Sequence, residues 1–467
     1  MSFSLLSLGW TGLNVSRLLA ETSGHNTSNV NTPGYSRQRV ELSARSPLWA
    51  VPGMLGTGAQ ATSISSLRDL FIEKQLLGAG GEGGFAGGQI EALQAAETAI
   101  GVGGGDRLQQ ALGGFFQALS ALAAQPSDLA TREQVLAGAR ELAQAFRDVR
   151  AQLQSSRQGL DDQIEQSAAE VQKNLEEIAR LNREIRAAET AGVQANDLRD
   201  RRGLLAQQVA EQLGVRVFSD DRGNLNLALA DGAVLVEGDQ AAELRAVKDP
   251  ANDGLMALEL VSGSGVVRHL DAAAGGRLGG LLQARDVTLR QALEKLDGLA
   301  FDLASAVNNL HRGGFGLDGV GGRDLFTPLA GPDGAAGQLA LDPAVDGNAR
   351  ALAAASDPAA LPGDNRVALL LAGLASAPIA SGGTQDPISA ASGIGSFIGG
   401  ALASAERDFE FHAGRIAQLS AWRESVSGVS LEEEMIELAK AQRAFEAATK
   451  VIKTADELLE TVISLKG

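Results

Sequence analysis

The sequence predicts a mainly α-helical, elongated chain with a small inserted β domain, its N- and C-terminal helices paired in a coiled-coil-like bundle. Three observations carry this. Leu431, Leu438, Phe445, Ile452 and Leu459 stand seven apart, with Ala441, Ala448, Ala455 and Val462 at the companion heptad positions. Leu5, Leu8, Gly12, Val15 and Leu19 recur at steps of three and four, which is also a helical seam. From Val215 the apolar period drops to two, the mark of strands.

Taken in order, the first helix occupies MSFSLLSLGWTGLNVSRLLAETS. It lacks a basic n-region, and Gly9, Thr11, Gly12 and Asn14 interrupt its apolar residues, so neither a Sec-type signal nor a membrane span is expected. Residues 24–38, rich in asparagine, form a loop before the next strand. Asparagine side chains cap turns and tolerate left-handed backbone, Pro33-Gly34 suits the centre of a type II turn, and residues 35–42 alternate like an extended strand. A glycine-rich break is expected over 78–88, followed by helices through Leu213. Ile164, Val171, Ile178 and Ile185 mark a second seven-residue seam, joined by Leu153, Leu160 and Leu181. Residues 126–128 and 192–196 read as breaks between helices, and 101–105 (GVGGG) as a linker.

The strands VRVFS, LNLALA and AVLVEG are separated by the turn signals Asp221/Gly223/Asn224 and Asp231/Gly232, and LMALELV and VVRHL follow. Helical patterning returns over 278–310. Residues 313–363, rich in Gly, Ala, Pro and Asp, read as more loop than core, and helices follow near 365–375 and 394–425. Ser430 with Glu433 forms a capping box, and Glu432, Glu433 and Glu434 suit the positive end of the helix dipole, which starts the last helix near Leu431. An isolated helix is marginal in water, and each large seam side chain gains roughly 1.5 to 3 kcal/mol only when fully buried, so both terminal helices need neighbours. The expected division is 1–60 with 427–467 as a terminal helical domain, 61–212 with 276–426 as a helical rod, and 213–275 as the β insertion.

Forty basic against fifty-seven acidic residues leave a net charge of −17 with no basic block, which argues against nucleic acid or an anionic membrane as partner. The chain has no cysteine, so disulfides and thiolate chemistry are excluded. Its most apolar later stretch, 367–380, is too short to cross a bilayer, and no membrane anchor is expected. His25, His269, His311 and His412 lie far apart without metal-ligand spacing, and neither a GxSxG elbow nor a GxxxxGK[ST] loop occurs. Asp161, Asp162 and Glu165 read as the solvated face of a helix, and the triplets at Asn14 and Asn26 match the glycosylation pattern by chance. No catalytic residue, cofactor or metal is expected.

The segment GHNTSNVNTPGYSRQ (24–38) is compatible with a surface loop or a binding motif on physical grounds alone. It resembles the signature of flagellar rod and hook axial proteins, ANNIANANTPGYSRQ. It matches from Asn29 through Gln38 except at Val30, with His25 in place of an asparagine and Thr27 in place of an isoleucine. GGRLGGLL with Arg285-Asp286, AVNNLHRGGF (306–315), Gly363-Asp364-Asn365-Arg366 and the segment from Arg423 to Leu465 are similar to the hook-associated protein 1 family, the hook-filament junction proteins. Departures are Ser430, Ala441 and Phe445, where asparagine, tyrosine and tyrosine are common.

The resemblance implies a structural subunit, not an enzyme, that is exported unfolded through the flagellar type III channel. It implies assembly at the distal end of the hook, self-assembly into a ring beside hook and filament neighbours, and an export chaperone on the C-terminal helix. It further implies a stretch before Gly363 that replaces an outer domain, and on physical grounds the two terminal helices are expected to be poorly ordered in the monomer and to become a coiled coil when neighbouring subunits bury Leu431, Leu438, Phe445, Ile452 and Leu459. Subunit contacts are expected at Leu5, Leu8, Val15, Leu19, Asn26, Asn29, Asn31, Pro33, Gly34, Tyr35, Leu431, Leu438, Phe445, Ile452 and Leu459. A rod or hook subunit, or more distantly a secreted cell-wall-acting enzyme, remains an alternative.

Overall fold

In the computed structural model, which describes residues 2–50, 53–101, 105–220 and 222–465, the first helix α1 spans Ser2–Ser28. It runs through residues 24–28, which the sequence assigned to a loop, because Thr27 and Ser28 return their hydroxyls to the carbonyls of Ser23 and Gly24. The chain then turns at Pro33-Gly34, where Gly34 has φ +79° and Tyr35 N–H donates to Thr32 O at 3.2 Å, as a type II turn requires. Strand β1 (Gln38–Ala44) pairs antiparallel with β4 (Ala59–Ser66), and the hairpin β2 (Leu48–Ala50) with β3 (Gly53–Leu55) lies between them.

Helix α2 (Leu70–Gly101) passes straight through the glycines expected to break it. Tertiary packing overrides their weak propensity. A Cβ at Gly84 would overlap the carbonyl of Glu211, one at Gly88 the carbonyl of Arg277, and one at Gly280 the carbonyl of Phe85. Glycine here permits backbone-to-backbone approach between helices. The linker expected at 101–105 falls partly outside the described residues, and so does Asp221.

Helix α3 (Gly105–Ala124) turns at residues 126–128 into α4 (Leu129–Thr190), whose first turn is capped by Asp128. At 62 residues α4 is roughly 90 Å long. Ile164, Val171, Ile178 and Ile185 are all buried along it. Asp161 is not simply solvated: it pairs with Arg285 and accepts from Met256 N–H at 2.7 Å, because the buried arginine needs a carboxylate. Asp162 and Glu165 are exposed.

After α5 (Asn196–Gln212) come two antiparallel sheets. One is β5 (Val215–Ser219), β6 (Leu225–Leu229), β7 (Val234–Glu237) and β8 (Gln240–Ala241); the other has β10 (Met256–Val261) between β9 (Glu243–Lys248) and β11 (Val267–Leu270). Helix α6 (Gly276–Leu282) passes through one π-helical stretch (Gln283–Thr288) into α7 (Leu289–Arg312).

Residues 313–363 contain little regular structure beyond the short helix α8 (Ala335–Gln338), yet they are core, contrary to expectation. Leu325, Phe326, Ala335, Ala336, Leu339, Val345 and Leu352 are fully buried in the main hydrophobic cluster. Two residues of the AVNNLHRGGF stretch hold them there. Asn308 accepts from Leu325 and Phe326 N–H and donates to Phe326 O, while His311 Nδ1–H donates to Arg323 O (2.7 Å) and its Nε2 accepts from Ala353 N–H (2.9 Å). Side-chain amide and imidazole replace the backbone pairing that a sheet would supply.

Helices α9 (Arg366–Gly373), α10 (Pro387–Ser427) and α11 (Leu431–Ser464) complete the chain; α10 begins seven residues before the expected start because Asp386 caps it and Pro387 suits its first turn. One window within Pro387–Ser464 is long and apolar enough to cross a membrane by length and composition. In this fold α10 packs along α2.

Candidate subunit interface at the paired chain ends

Helices α1 and α11 pack on each other, and their antiparallel direction follows from their contacts. Ser23 reaches Glu434, whereas Gly12 faces Ala448 and Gly9 faces Ile452. The buried line of α11 is Glu434, Ala441, Ala448 and Ala455. Opposite it run Gly9, Gly12, Ser16, Ser23 and Asn26, at steps of three, four, seven and three. A Cβ at Gly9 would stand 2.6 Å from Ile452 Cγ1, and one at Gly12 would stand 3.3 Å from the Ala448 Cβ. Small residues let the two helices approach closely, so the larger seam residues flank the contact instead of filling it.

This corrects the expected seam. Leu5, Leu8, Leu431 and Phe445 remain 36–49% exposed, while Val15, Leu19, Leu438, Ile452 and Leu459 are half-buried. Each terminal helix finds a first neighbour within the same chain, and neither is fully covered by it. Met435, Ile436, Val462 and Ile463 add to the uncovered apolar surface of α11.

A buried polar network closes one end of this pair. Asn26, 1% exposed, uses its whole amide: Nδ2 donates to Gln38 O (2.9 Å) and Glu434 Oε2 (3.1 Å), and Oδ1 accepts from Gln38 N–H (2.9 Å) and Tyr35 O–H (2.7 Å). Glu434, 3% exposed, also accepts from Ser23 Oγ (2.8 Å) and from Arg37 Nε (2.7 Å), and Arg37 reaches Glu433 as well. Arg37 N–H donates to Ser427 O at 2.9 Å, which ties the turn to the end of α10. The signature thus binds three separate parts of the chain through one cluster.

Helix α5 seats the other side. Ser36 N–H donates to Asp200 Oδ2 (3.1 Å), Arg68 pairs with Asp200, and Gln38 Nε2 donates to Asp197 Oδ1 (2.7 Å). Burial holds the Asp200 carboxyl above its ordinary range despite Arg68 and the Ser36 amide. Burial, then Asp197, Asp200 and Glu434, pushes the Tyr35 phenol well up, so it remains a donor. Gly34 disfavours any other residue: its φ is positive, and a Cβ would stand 3.2 Å from that of Leu204, which would have to shift.

The remaining signature residues divide. Asn29 bonds back to His25 O at 3.0 Å, whereas Asn31 and Pro33 are exposed. Ser23, Arg37, Asp200 and Glu434 were not singled out as contact residues from the sequence. A signal for Glu434 existed, since it stands one heptad before Ala441 in the same line, where a carboxylate is tolerated only with buried partners. The four histidines stay apart, His25 beside Asp197, His269 beside Glu259, His412 beside Glu82 and His311 under residues 313–363.

Comparison with known proteins agrees with this architecture. The profile of the flagellar hook-associated protein FlgK helical domain matches residues 93–326, and that of the flagellar basal body rod FlgEFG protein C-terminal region matches 424–465. Flagellar hook-associated protein 1 of Bacillus subtilis (strain 168) is 26% identical over 504 residues, covering 100% of this chain and 99% of that protein. Its counterpart from Salmonella typhimurium is 29% identical over 337 residues, covering 69% of this chain and 59% of that one. The solved flagellar hook junction protein FlgK from Burkholderia pseudomallei shares the fold, with TM-score 0.67 and 18% identity over 76% of this chain and 100% of that one. With the helical-domain profile spanning half its length and full-length relatives aligning end to end, the chain belongs to the flagellar hook-associated protein 1 (FlgK) family.

Proposed function

We propose that this chain is a structural subunit of the bacterial flagellum that joins the hook to the filament. One observation supports this most: the two chain ends are locked together by a buried network, while both helices keep an apolar stripe uncovered. Such a stripe is suited to burial between subunits. On this reading Leu5, Leu8, Val15 and Leu19 of α1 and Leu431, Leu438, Phe445, Ile452 and Leu459 of α11 line contacts with neighbouring copies. Asn26, Gly34 and Tyr35 fix the pair internally, and Asn29, Asn31 and Pro33 present the turn.

Subunits assemble head to tail into a ring beside hook and filament proteins, using two different faces of each copy. The terminal region is 1–60 with 427–467, the rod 61–212 with 276–426, and the β region 213–275, with 313–363 in place of an outer domain. Export is by the flagellar type III route to the cell exterior, and a helical chaperone shields α11 beforehand. The role requires no catalytic residue, cofactor, metal, nucleic acid or membrane anchor.

A rod or hook subunit is the second reading, favoured by the match of residues 424–465 to the rod-protein C-terminal region. Tagged chains in a strain lacking the native protein separate the two. Foci at the distal hook end with restored filament attachment support the junction; label along the hook or in the basal body rejects it.

A further inference from the structure

Beneath the Arg68–Asp200 pair lies a cavity of about 530 Å³ where the turn at Gly34, the start of α2, α5, strands β5 and β6 and the end of α10 meet. Its walls have a sign opposite to that of the chain. Among the described residues, Arg68, Lys74, Arg199, Arg202 and Arg423 line it with two carboxylates, Glu73 and Asp200, in a protein of net charge −17.

Both carboxylates are already engaged by one cation. Arg68 pairs with Asp200 and stands 3.7 Å from Glu73. Arg199 pairs with Glu189 at 2.6 Å, but its Nε–H is buried without a hydrogen-bond partner. Arg202 is 7% exposed and, among the described residues, bonds to neutral oxygens, Asn182 Oδ1 (2.7 Å) and Gly223 O (3.2 Å). Arg423, among the described residues, likewise donates to a carbonyl, Gly34 O at 3.1 Å. Lys74, at the rim, has no ion pair among the described residues.

A buried guanidinium with no carboxylate bonded to it among the described residues is costly even with Glu189 and Asp220 attracting it from farther off, and the cost shows in its acidity. Burial, then the repulsion of Arg199 and Arg68, pulls Arg202 down to about 10. An oxyanion in the cavity removes that cost. Arginine forks suit phosphate and carboxylate alike, and Leu76, Leu77 and Leu204 supply an apolar part of the lining beside them.

We propose that this cavity is an oxyanion-binding site, taking a phosphate or carboxylate group among Lys74, Arg202 and Arg423, and that the bound anion braces the joint between the terminal helices, the rod and the β region. A carboxylate can come from a second copy of this chain. Residues 456–460 (DELLE) of α11 carry three acidic residues without ion pairs among the described residues, beside Leu458, which is 46% exposed.

The test uses the full chain and titration calorimetry at constant ionic strength, with inorganic phosphate as the probe and chloride as the control. One saturable phosphate per chain is expected, weakened fivefold or more in Lys74→Gln and in Arg202→Lys, and unchanged in Lys440→Gln, which lies on exposed α11. Lys74 is at the rim, so its variant keeps the test valid if Arg202→Lys folds poorly. Binding should also slow amide exchange in β5 and in the first turns of α5. A peptide of residues 456–460 that displaces phosphate assigns the site to a neighbouring subunit's carboxylate, whereas phosphate binding without displacement assigns it to a free anion. No saturable binding of either probe, or equal affinity in the Lys74 and Arg202 variants, overturns the proposal.

Discussion

Replacing Glu434 by alanine should unlatch the chain ends without unfolding the rod. The carboxylate accepts three side-chain bonds, from Ser23 (2.8 Å), Asn26 (3.1 Å) and Arg37 (2.7 Å). Bonds to a charged group contribute about 1.5–3 kcal/mol each. Their sum is an upper bound, because every partner keeps an alternative: Ser23 the Glu434 carbonyl, Asn26 the Gln38 carbonyl and Arg37 the exposed Glu433. Breaking a buried pair from one side typically costs about 3–5 kcal/mol, and these alternatives place the loss at the lower end, about 3 kcal/mol. At 1.4 kcal/mol per decade this is a roughly hundredfold loss of protection. Hydrogen exchange should therefore quicken about a hundredfold at α11 amides around Ala441, with α4 amides near Val171 unchanged. Glu433→Ala, at a side chain 60% exposed, should change exchange less than about fivefold. Equal effects of the two variants, or an equal loss of protection in α4, would refute the latch.

Three further outcomes follow from the packing and charge described above. Gly88→Val should lower the thermal midpoint by several degrees, since any Cβ there overlaps the Arg277 carbonyl and overpacking costs about 1–3 kcal/mol; calorimetry showing an unchanged midpoint would contradict the close helix crossing. His311, whose pKa burial depresses, is neutral in the fold, so below about pH 6.5 the unfolded chain takes up a proton that the folded chain refuses and stability falls. Melting curves from pH 7.5 to 5 should show this decline, and its persistence unaltered in His311→Gln would assign it to other groups. Leu438→Asp places a charge at a half-buried position, so the isolated chain should lose only about 1 kcal/mol while incorporation into flagella fails; normal filament attachment by that variant removes the stripe from the assembly surface.

Periodicity made the helical and strand-rich regions legible. The buried isoleucines of α4 and the strands near 215–270 stand where steps of seven and two put them. Misreadings fell where local preference and tertiary packing disagree. Glycine reads as a breaker at 78–88, yet there it allows backbones to touch. Residues 313–363 lack any period, yet Asn308 and His311 satisfy their backbone from outside, which no local pattern announces. In the seam, heptad spacing marks both flanks of a contact equally; side-chain volume put the line of Ala441, Ala448 and Ala455 at its centre, with Gly12 against Ala448 and Gly9 against Ile452.

By itself, then, the sequence determined the long helices and the strands near 215–270, that the two ends carry apolar helical faces, and that residues 24–38 are chemically specific. Hydrophobic periodicity and side-chain polarity are properties of neighbouring positions, so they survive without a fold. Only the tertiary structure decided that Ser23, Asn26 and Arg37 converge on Glu434, some four hundred residues away, and that five cations share one cavity in an acidic chain. Both depend on where distant backbones cross, and that is set by the packing of whole helices.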